Sequence, residues 1–348
     1  MLEEGTKKGT SIMAVILFGF LSMIFAEAFS GASPLWFLTA WGWFVTLPLY
    51  WAHAILLINL ALRYERTSLT QLYLWGIIFG LYESWITKVI WAGYMGDVPA
   101  FGTFLGFAVG EFFIVGLFWH AVFSFIIPIM VFQIMAIETQ RGEASEVHTS
   151  HLRVISRTTR NRMILWMIMI AGSIFMTMGL GADILAVAIA GGINFAFIFL
   201  LSYLTISLSK RPLGLESLRV GARGLSIVIV YLIILYAVTF LTLLPERIPS
   251  FGTILLTIAF YIVVITMIFL TPRDTRKTIE LPSGIIRYDQ VIWALVTFLM
   301  LSITLALVPI LTYIAGTLFY LLMFFLGPIL FFLAVVQVFR KGEVTKYD

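Results

Sequence analysis

Six ionisable side chains fall inside long apolar stretches in the first third of the chain: Glu27, His53, Glu83, Lys88, Glu111 and His120. A charge in hydrocarbon costs about 3 kcal/mol or more, so it is rarely there without a partner or a task. Carboxylates and imidazoles exchange protons, and an ammonium balances a carboxylate. Such a set has the chemistry of a proton or ion relay, or of general acid–base catalysis. Between residues 163 and 339 the apolar stretches carry no Asp, Glu, Lys, Arg or His in their interiors. The polar work is therefore expected in the N-terminal part, with the remainder as scaffold.

Composition dictates the elements that must position these groups. Of 348 residues, 61% are hydrophobic and 11% charged, against about 25% charged in soluble domains. So few charges cannot cover a water-facing surface, and an all-α polytopic membrane protein follows. A span needs roughly 20 apolar residues. Ten segments qualify: 12–29, 35–62, 69–94, 109–137, 163–182, 184–208, 224–244, 253–271, 290–311 and 312–338. With these spans every Lys and Arg except Arg247 and the intramembrane Lys88 lies on one side. Excess Lys and Arg marks the cytoplasmic face, which predicts a cell-membrane protein with both termini cytoplasmic. The net charge of +4 then reflects topology and anionic lipid, not nucleic acid. The expected partners are membrane lipids and a small solute or ion.

The chain divides into a four-helix part, 1–137, that carries the ionisable residues, a basic cytoplasmic linker, 138–162, and a six-helix apolar part, 163–348. No internal repeat is visible. As one helix, 35–62 would be about 42 Å long, more than the roughly 30 Å hydrocarbon core. Pro48 is expected to break it, with Trp36, Trp41, Trp43 and Trp51 as anchors or lipid-facing residues. Residues 99–110 are apolar but too short to span, and read as a re-entrant half-helix or a short interfacial helix. Gly102, Gly106 and Gly110, like Gly76 and Gly80, recur every four residues, the spacing of close helix packing; such packing could position Glu111. Ala26-Glu27-Ala28 has the small-x-small form of a signal cleavage site, but Glu27 and the bulky Phe29 at the cut argue against it.

Orientation assigns depth. The first and third spans run outward and the fourth inward. Glu27, Glu83, Lys88, Glu111 and His120 then share the extracytoplasmic half, with Glu83 near the midplane and His53 deeper toward the cytoplasm. Glu83 and Lys88 are five positions apart, not the spacing of an ideal helical ion pair, so Lys88 is expected to pair with Glu27 or Glu111 on another helix. Glu111 and His120 lie on opposite faces of a regular helix, and both can reach one cavity only if its start is irregular. His120 shares its face with Gly116 and Ser124. Each residue also has a plainer reading: Glu27 and Glu111 as headgroup-level residues, Lys88 snorkelling, and His53 and His120 as hydrogen-bonded core histidines.

Three stretches carry a resemblance: residues 26–34 (Ala-Glu-Ala-Phe-Ser-Gly-Ala-Ser-Pro), 79–88 (Phe-Gly-Leu-Tyr-Glu-Ser-Trp-Ile-Thr-Lys) and 119–128 (Trp-His-Ala-Val-Phe-Ser-Phe-Ile-Ile-Pro). Together they resemble a group of uncharacterised prokaryotic multi-pass membrane proteins. The resemblance implies Glu27, Ser30, Pro34, Glu83, Lys88, His120 and Ser124 as the shared set, and no activity. A weaker likeness is to the intramembrane proteases that cut prenylated (CAAX-type) or leader-bearing proteins, which use a Glu-Glu-x-x-x-Arg helix and a Phe-x-x-x-His helix. Here Tyr82-Glu83 stands where that family has its Glu pair, Lys88 comes one position late for the Arg, and Gly116 occupies the Phe position.

Several chemistries are absent. No cysteine is present, which removes disulfides, thiol catalysis and Cys-based metal sites. No phosphate-binding loop, His-Glu-x-x-His or Gly-x-Ser-x-Gly occurs. A metal site could draw on Glu83, His120 and Glu27 or Glu111, a Glu-rich set unusual for catalytic zinc; the sequence names no cofactor. The first reading is a secondary transporter or ion-coupled carrier, with Glu83 as coupling carboxylate, Lys88 as charge partner and His120 as proton relay. The alternatives are an intramembrane hydrolase using Glu83 and His120, oriented by Lys88 or Glu27, and a non-catalytic lipid- or partner-binding protein. An outward pocket with no path to the cytoplasm would favour the enzyme.

Overall fold

The computed structural model describes residues 12–94, 98–139, 147–209, 212–274 and 284–340. Of the basic residues that orient the chain, Lys7, Lys8, Arg141, Lys210, Arg211, Arg276, Lys277, Lys341 and Lys346 lie outside these.

The protein is an all-α polytopic membrane protein, and each of the ten apolar segments forms helix. Among the described residues, eight helices are long and apolar enough to cross a membrane. The first segment is shorter, Ile12–Ala28. The third is broken into α3 (Leu69–Gly80), α4 (Tyr82–Trp85) and α5 (Val89–Ala92). The first segment comprises α1 (Ile12–Met23) and a π-helical turn, Ile24–Ala28; the second comprises a π turn, Gly42–Thr46, and α2 (Leu47–Arg63). The fourth starts as α6 (Val109–Glu111), widens into a π-helix over Phe112–Ile126 and closes as α7 (Ile127–Glu138). A short α8 (Thr149–Ile155) leads to the remaining spans. These are α9 (Thr159–Gly179), α10 (Ile184–Leu208), α11 (Ala222–Thr242), α12 (Phe251–Leu270), α13 (Tyr288–Ala306) and α14 (Pro309–Phe339).

Burial separates an inside from an outside. The spans Gly42–Arg63 and Val109–Glu138 are 67% and 83% buried, whereas those from α10 to α14 are 17–33% buried. The early helices form the centre, and the later ones wrap them and turn residues such as Leu185, Ile233 and Phe332 outward. In lipid those outward faces cost nothing, because hydrocarbon solvates them as well as a core would.

Small residues set a close contact between α3 and the π-helix. A Cβ added to Gly76 would lie 2.6 Å from Ala121 Cα, and one added to Gly80 would lie 2.9 Å from the Gly116 carbonyl and 3.2 Å from His120 Cβ. The packing read from Gly76 and Gly80 is thus present, and it seats His120, not Glu111. Gly102 and Gly106 do something else. Residues 99–110 are neither a re-entrant nor an interfacial helix; they hold an antiparallel hairpin, β1 (Thr103–Phe104) with β2 (Phe107–Ala108). Leu105 and Gly106 turn it at φ 52° and 82°, the left-handed pair that a two-residue hairpin turn requires.

Pro48 does not break the second span. It lies directly after the π turn in a helix that runs on from Gly42 to Arg63, and wide turns of this kind accommodate a bond that a proline cannot make. The chain bends earlier, at a 3₁₀ turn, Trp36–Leu38. Trp41 and Trp43 are exposed as anchors should be, but Trp36 is buried and donates to Asn194 Oδ1 at 2.9 Å. The Trp51 indole donates to the Val15 carbonyl. Both are interhelical ties.

Candidate functional site

Three of the ionisable residues meet at one cavity, and irregular backbone presents each of them. Glu83 lies on α4, the short piece between the breaks of the third segment. Lys88, just beyond, has φ 57°, a left-handed value costly for a side chain with a Cβ. His120 stands on the π-helix and Glu27 on the π turn that ends the first span. Wide turns of this kind are frequent at functional sites. Gly31 closes the turn after Glu27 at φ 76°, where an added Cβ would strike the Phe175 carbonyl at 2.2 Å. Ser30 returns its hydroxyl to the Glu27 carbonyl at 3.1 Å.

His120 Nε2 lies 3.1 Å from Glu83 Oε1, and His120 Nδ1 lies 2.8 Å from Ser124 Oγ. A carboxylate only accepts, so in the neutral imidazole Nε2 carries the proton and Nδ1 accepts from Ser124. The Thr87 hydroxyl donates to Glu83 Oε2. Tyr50 donates to Glu27 Oε1 at 2.6 Å, and its hydroxyl is also 2.6 Å from that of Tyr82. Tyr50 has given its one proton to Glu27, so Tyr82 donates to Tyr50. The Tyr82 and Phe79 rings pack on His120 with centroids at 5.0 and 5.9 Å.

These groups border a cavity of about 560 Å³. Glu27, Tyr50, Glu83 and His120 line one side, and Phe175, Met178, Tyr313 and Tyr320 from α9 and α14 line the other. No lining residue lies deeper than about the middle of its helix, and all come from the end that carries Arg247. Beneath His120 the bundle is closed: Ser22, Phe79, Ser124 and Phe125 are fully buried. Ser124, His120 and Glu83 are connected as a hydrolase triad would be, but Ser124 does not reach the cavity, and its role is to orient the imidazole.

The other candidates lie elsewhere. Lys88 does not pair with Glu27 or Glu111. Its buried ammonium donates to the Thr239 carbonyl at 2.9 Å and to the Leu243 carbonyl, the open C-terminal end of α11, whose dipole favours a cation. Glu111 is buried in the first turn of α6 beside Gly93 and does not line the cavity, although the helix start is irregular. His53 is a satisfied core histidine, held by the Leu49 carbonyl and the Tyr236 hydroxyl at 2.8 Å each. Among the described residues no three His, Asp or Glu side chains come together as metal ligands.

Tyr50 and the wall tyrosines Tyr94, Tyr313 and Tyr320 were not singled out from the sequence. Their signal was a hydroxyl inside an apolar segment, which is weak because tyrosine is also an ordinary interfacial residue.

An uncharacterized membrane protein family matches residues 16–341. The chain belongs to that family. A protein of Archaeoglobus fulgidus described as uncharacterized is 39% identical over 120 residues, which are 33% of this chain and 36% of that protein. The match therefore spans about a third of the relative's length. No solved structure matches the chain.

Proposed function

We propose that this membrane protein is an intramembrane hydrolase whose site opens on the extracytoplasmic side. The observation that carries the reading is the blind cavity ending on the Glu83–His120 pair. The buried floor under His120 leaves the Glu83–His120 pair open on one side only, where a substrate and an attacking water would meet the base. Glu83 is the general base. A water at the cavity floor gives its proton to the carboxylate as its oxygen attacks an acyl carbon, and the same proton returns to the leaving group when the bond breaks. His120 keeps Glu83 oriented through its Nε2–H. Charge interactions gain strength in such a water-poor site.

The test is hydrolysis in ¹⁸O-labelled water. Purified protein in liposomes is incubated with the lipid and peptide fractions of its host membrane, and products are searched by mass spectrometry for a new ¹⁸O-carboxylate. Parent protein is expected to yield one and Glu83→Gln none. Proton-coupled solute uptake without label incorporation would return the carrier reading in its place.

A further inference from the structure

We infer that the cavity takes an organic cation, and that Glu27 is its counter-charge. The inference rests on the hydrolase reading in one respect, that Glu83 is already committed as base. Glu27 is then a second carboxylate on the wall with no catalytic duty. It is only part-buried, is held by the hydroxyls of Tyr50 and Ser33, and faces the cavity where a ligand would sit.

Charge on the rest of the wall points the same way. Among the described residues on the wall, Glu27, Glu83 and His120 are accompanied by no Lys or Arg. The two cations nearest in the fold are occupied with backbone oxygens. Lys88 is bound to the end of α11, and Arg247 donates to the Gly93 and Tyr94 carbonyls at 2.9 and 3.2 Å. A cation entering the cavity therefore meets two carboxylates and no repelling charge, while an anion meets the reverse. Low-dielectric walls focus such a field.

Five rings stand on the rest of the wall, among small and aliphatic residues: Tyr94, Trp119, Phe175, Tyr313 and Tyr320. Ring faces attract ammonium groups, most strongly where water is excluded, and aromatic cages are a recurring solution for quaternary ammonium ligands. A volume of about 560 Å³ falls within the usual range for small-molecule sites, about 300–1,000 Å³. It has room for an alkylammonium together with the acyl group that Glu83 would act upon.

Calorimetry on the full chain in nanodiscs compares choline with 3,3-dimethylbutanol, in which carbon replaces the charged nitrogen. Choline is expected to bind about tenfold or more tightly than the neutral isostere. Glu27→Gln is expected to remove that preference, and Glu27→Asp to keep part of it. Tyr313→Leu, on the opposite wall, gives a second variant and is expected to weaken choline several-fold and the isostere little. Equal binding of the two ligands, or a choline preference that survives Glu27→Gln, overturns the inference. Choline binding without ¹⁸O incorporation sinks the hydrolase reading and leaves the cation site standing; hydrolysis without a choline preference does the opposite.

Discussion

Glu83 has both carboxylate oxygens engaged, one by His120 and the other by Thr87, so its orientation is fixed before any substrate arrives. Preorganisation of this kind is what makes a general base effective. Glu83→Gln keeps the shape and removes the basicity. Hydrolysis should fall by about 10²–10⁴-fold while the melting temperature in detergent stays close to that of the parent. A collapse in expression would make Glu83 a structural residue. Ser124→Ala discriminates between two roles. If Ser124 only orients His120, activity falls by about tenfold, the equivalent of one lost hydrogen bond, and a serine-directed fluorophosphonate leaves the parent active. Loss of all activity in Ser124→Ala, with labelling of Ser124, would make it the nucleophile. At this scale Glu27, Glu83 and His120 were legible because charge in hydrocarbon is conspicuous. Lys88 was misread because its partners are main-chain carbonyls, which sequence does not mark.

At the level of elements, Gly80 holds α3 against the π-helix closely enough for Glu83 and His120 to meet. Gly80→Ala puts a methyl against the Gly116 carbonyl and His120. Overpacking of this sort costs about 1–3 kcal/mol. It should lower the melting temperature and reduce kcat by widening the Glu83–His120 gap, whereas Gly192→Ala, on α10 with open space, should leave kcat unchanged. Outside the membrane-spanning segments a second set of contacts joins three loops. Asp274 accepts from the Thr67 backbone N–H and hydroxyl and lies 3.4 Å from His148 Nε2. His151 Nε2 donates to the Thr67 carbonyl at 2.7 Å. Burial pushes the His151 imidazole down to about 4, with His148 beside it adding to the fall. Burial alone would raise Asp274, but the bonds from His148 and Thr67 outweigh it and hold the carboxyl below its usual range. Both groups therefore favour the folded loops at neutral pH. As pH falls below 6.5 the unfolded His151 takes a proton that the folded one refuses until about 4, so stability is lost across that window. The melting temperature should be lower at pH 5 than at pH 7, and His151→Phe should shrink the difference. A pH-independent melt of the parent would exclude the effect.

For the whole molecule, the prediction concerns sidedness. The chain has no cysteine, so each introduced thiol is a clean reporter. Ser30→Cys lies on the cavity wall and Arg157→Cys at the opposite end of α9. In intact cells a membrane-impermeant maleimide should label the first and spare the second until the membrane is opened. The reverse pattern would place the site on the cytoplasmic side. The cavity itself could not be read along the chain, because its walls come from segments as far apart as Glu27 and Tyr320 and the later helices contribute rings and small residues instead of charges.

Sequence by itself determined the solvent of this protein and the class of its fold. A chain with 11% charged residues must bury its surface in lipid, where only helices and closed barrels span, and apolar runs of roughly 20 residues select the helix. It also determined which side chains are costly where they stand. The tertiary structure alone decided which of those meet. Glu27, Glu83 and His120 converge because two π-helical stretches and a broken helix redirect their faces, and because Gly76 and Gly80 let two backbones touch. Neither helix register nor interhelical distance is written in local periodicity, so Glu111 and Lys88, equally conspicuous in sequence, end at other sites.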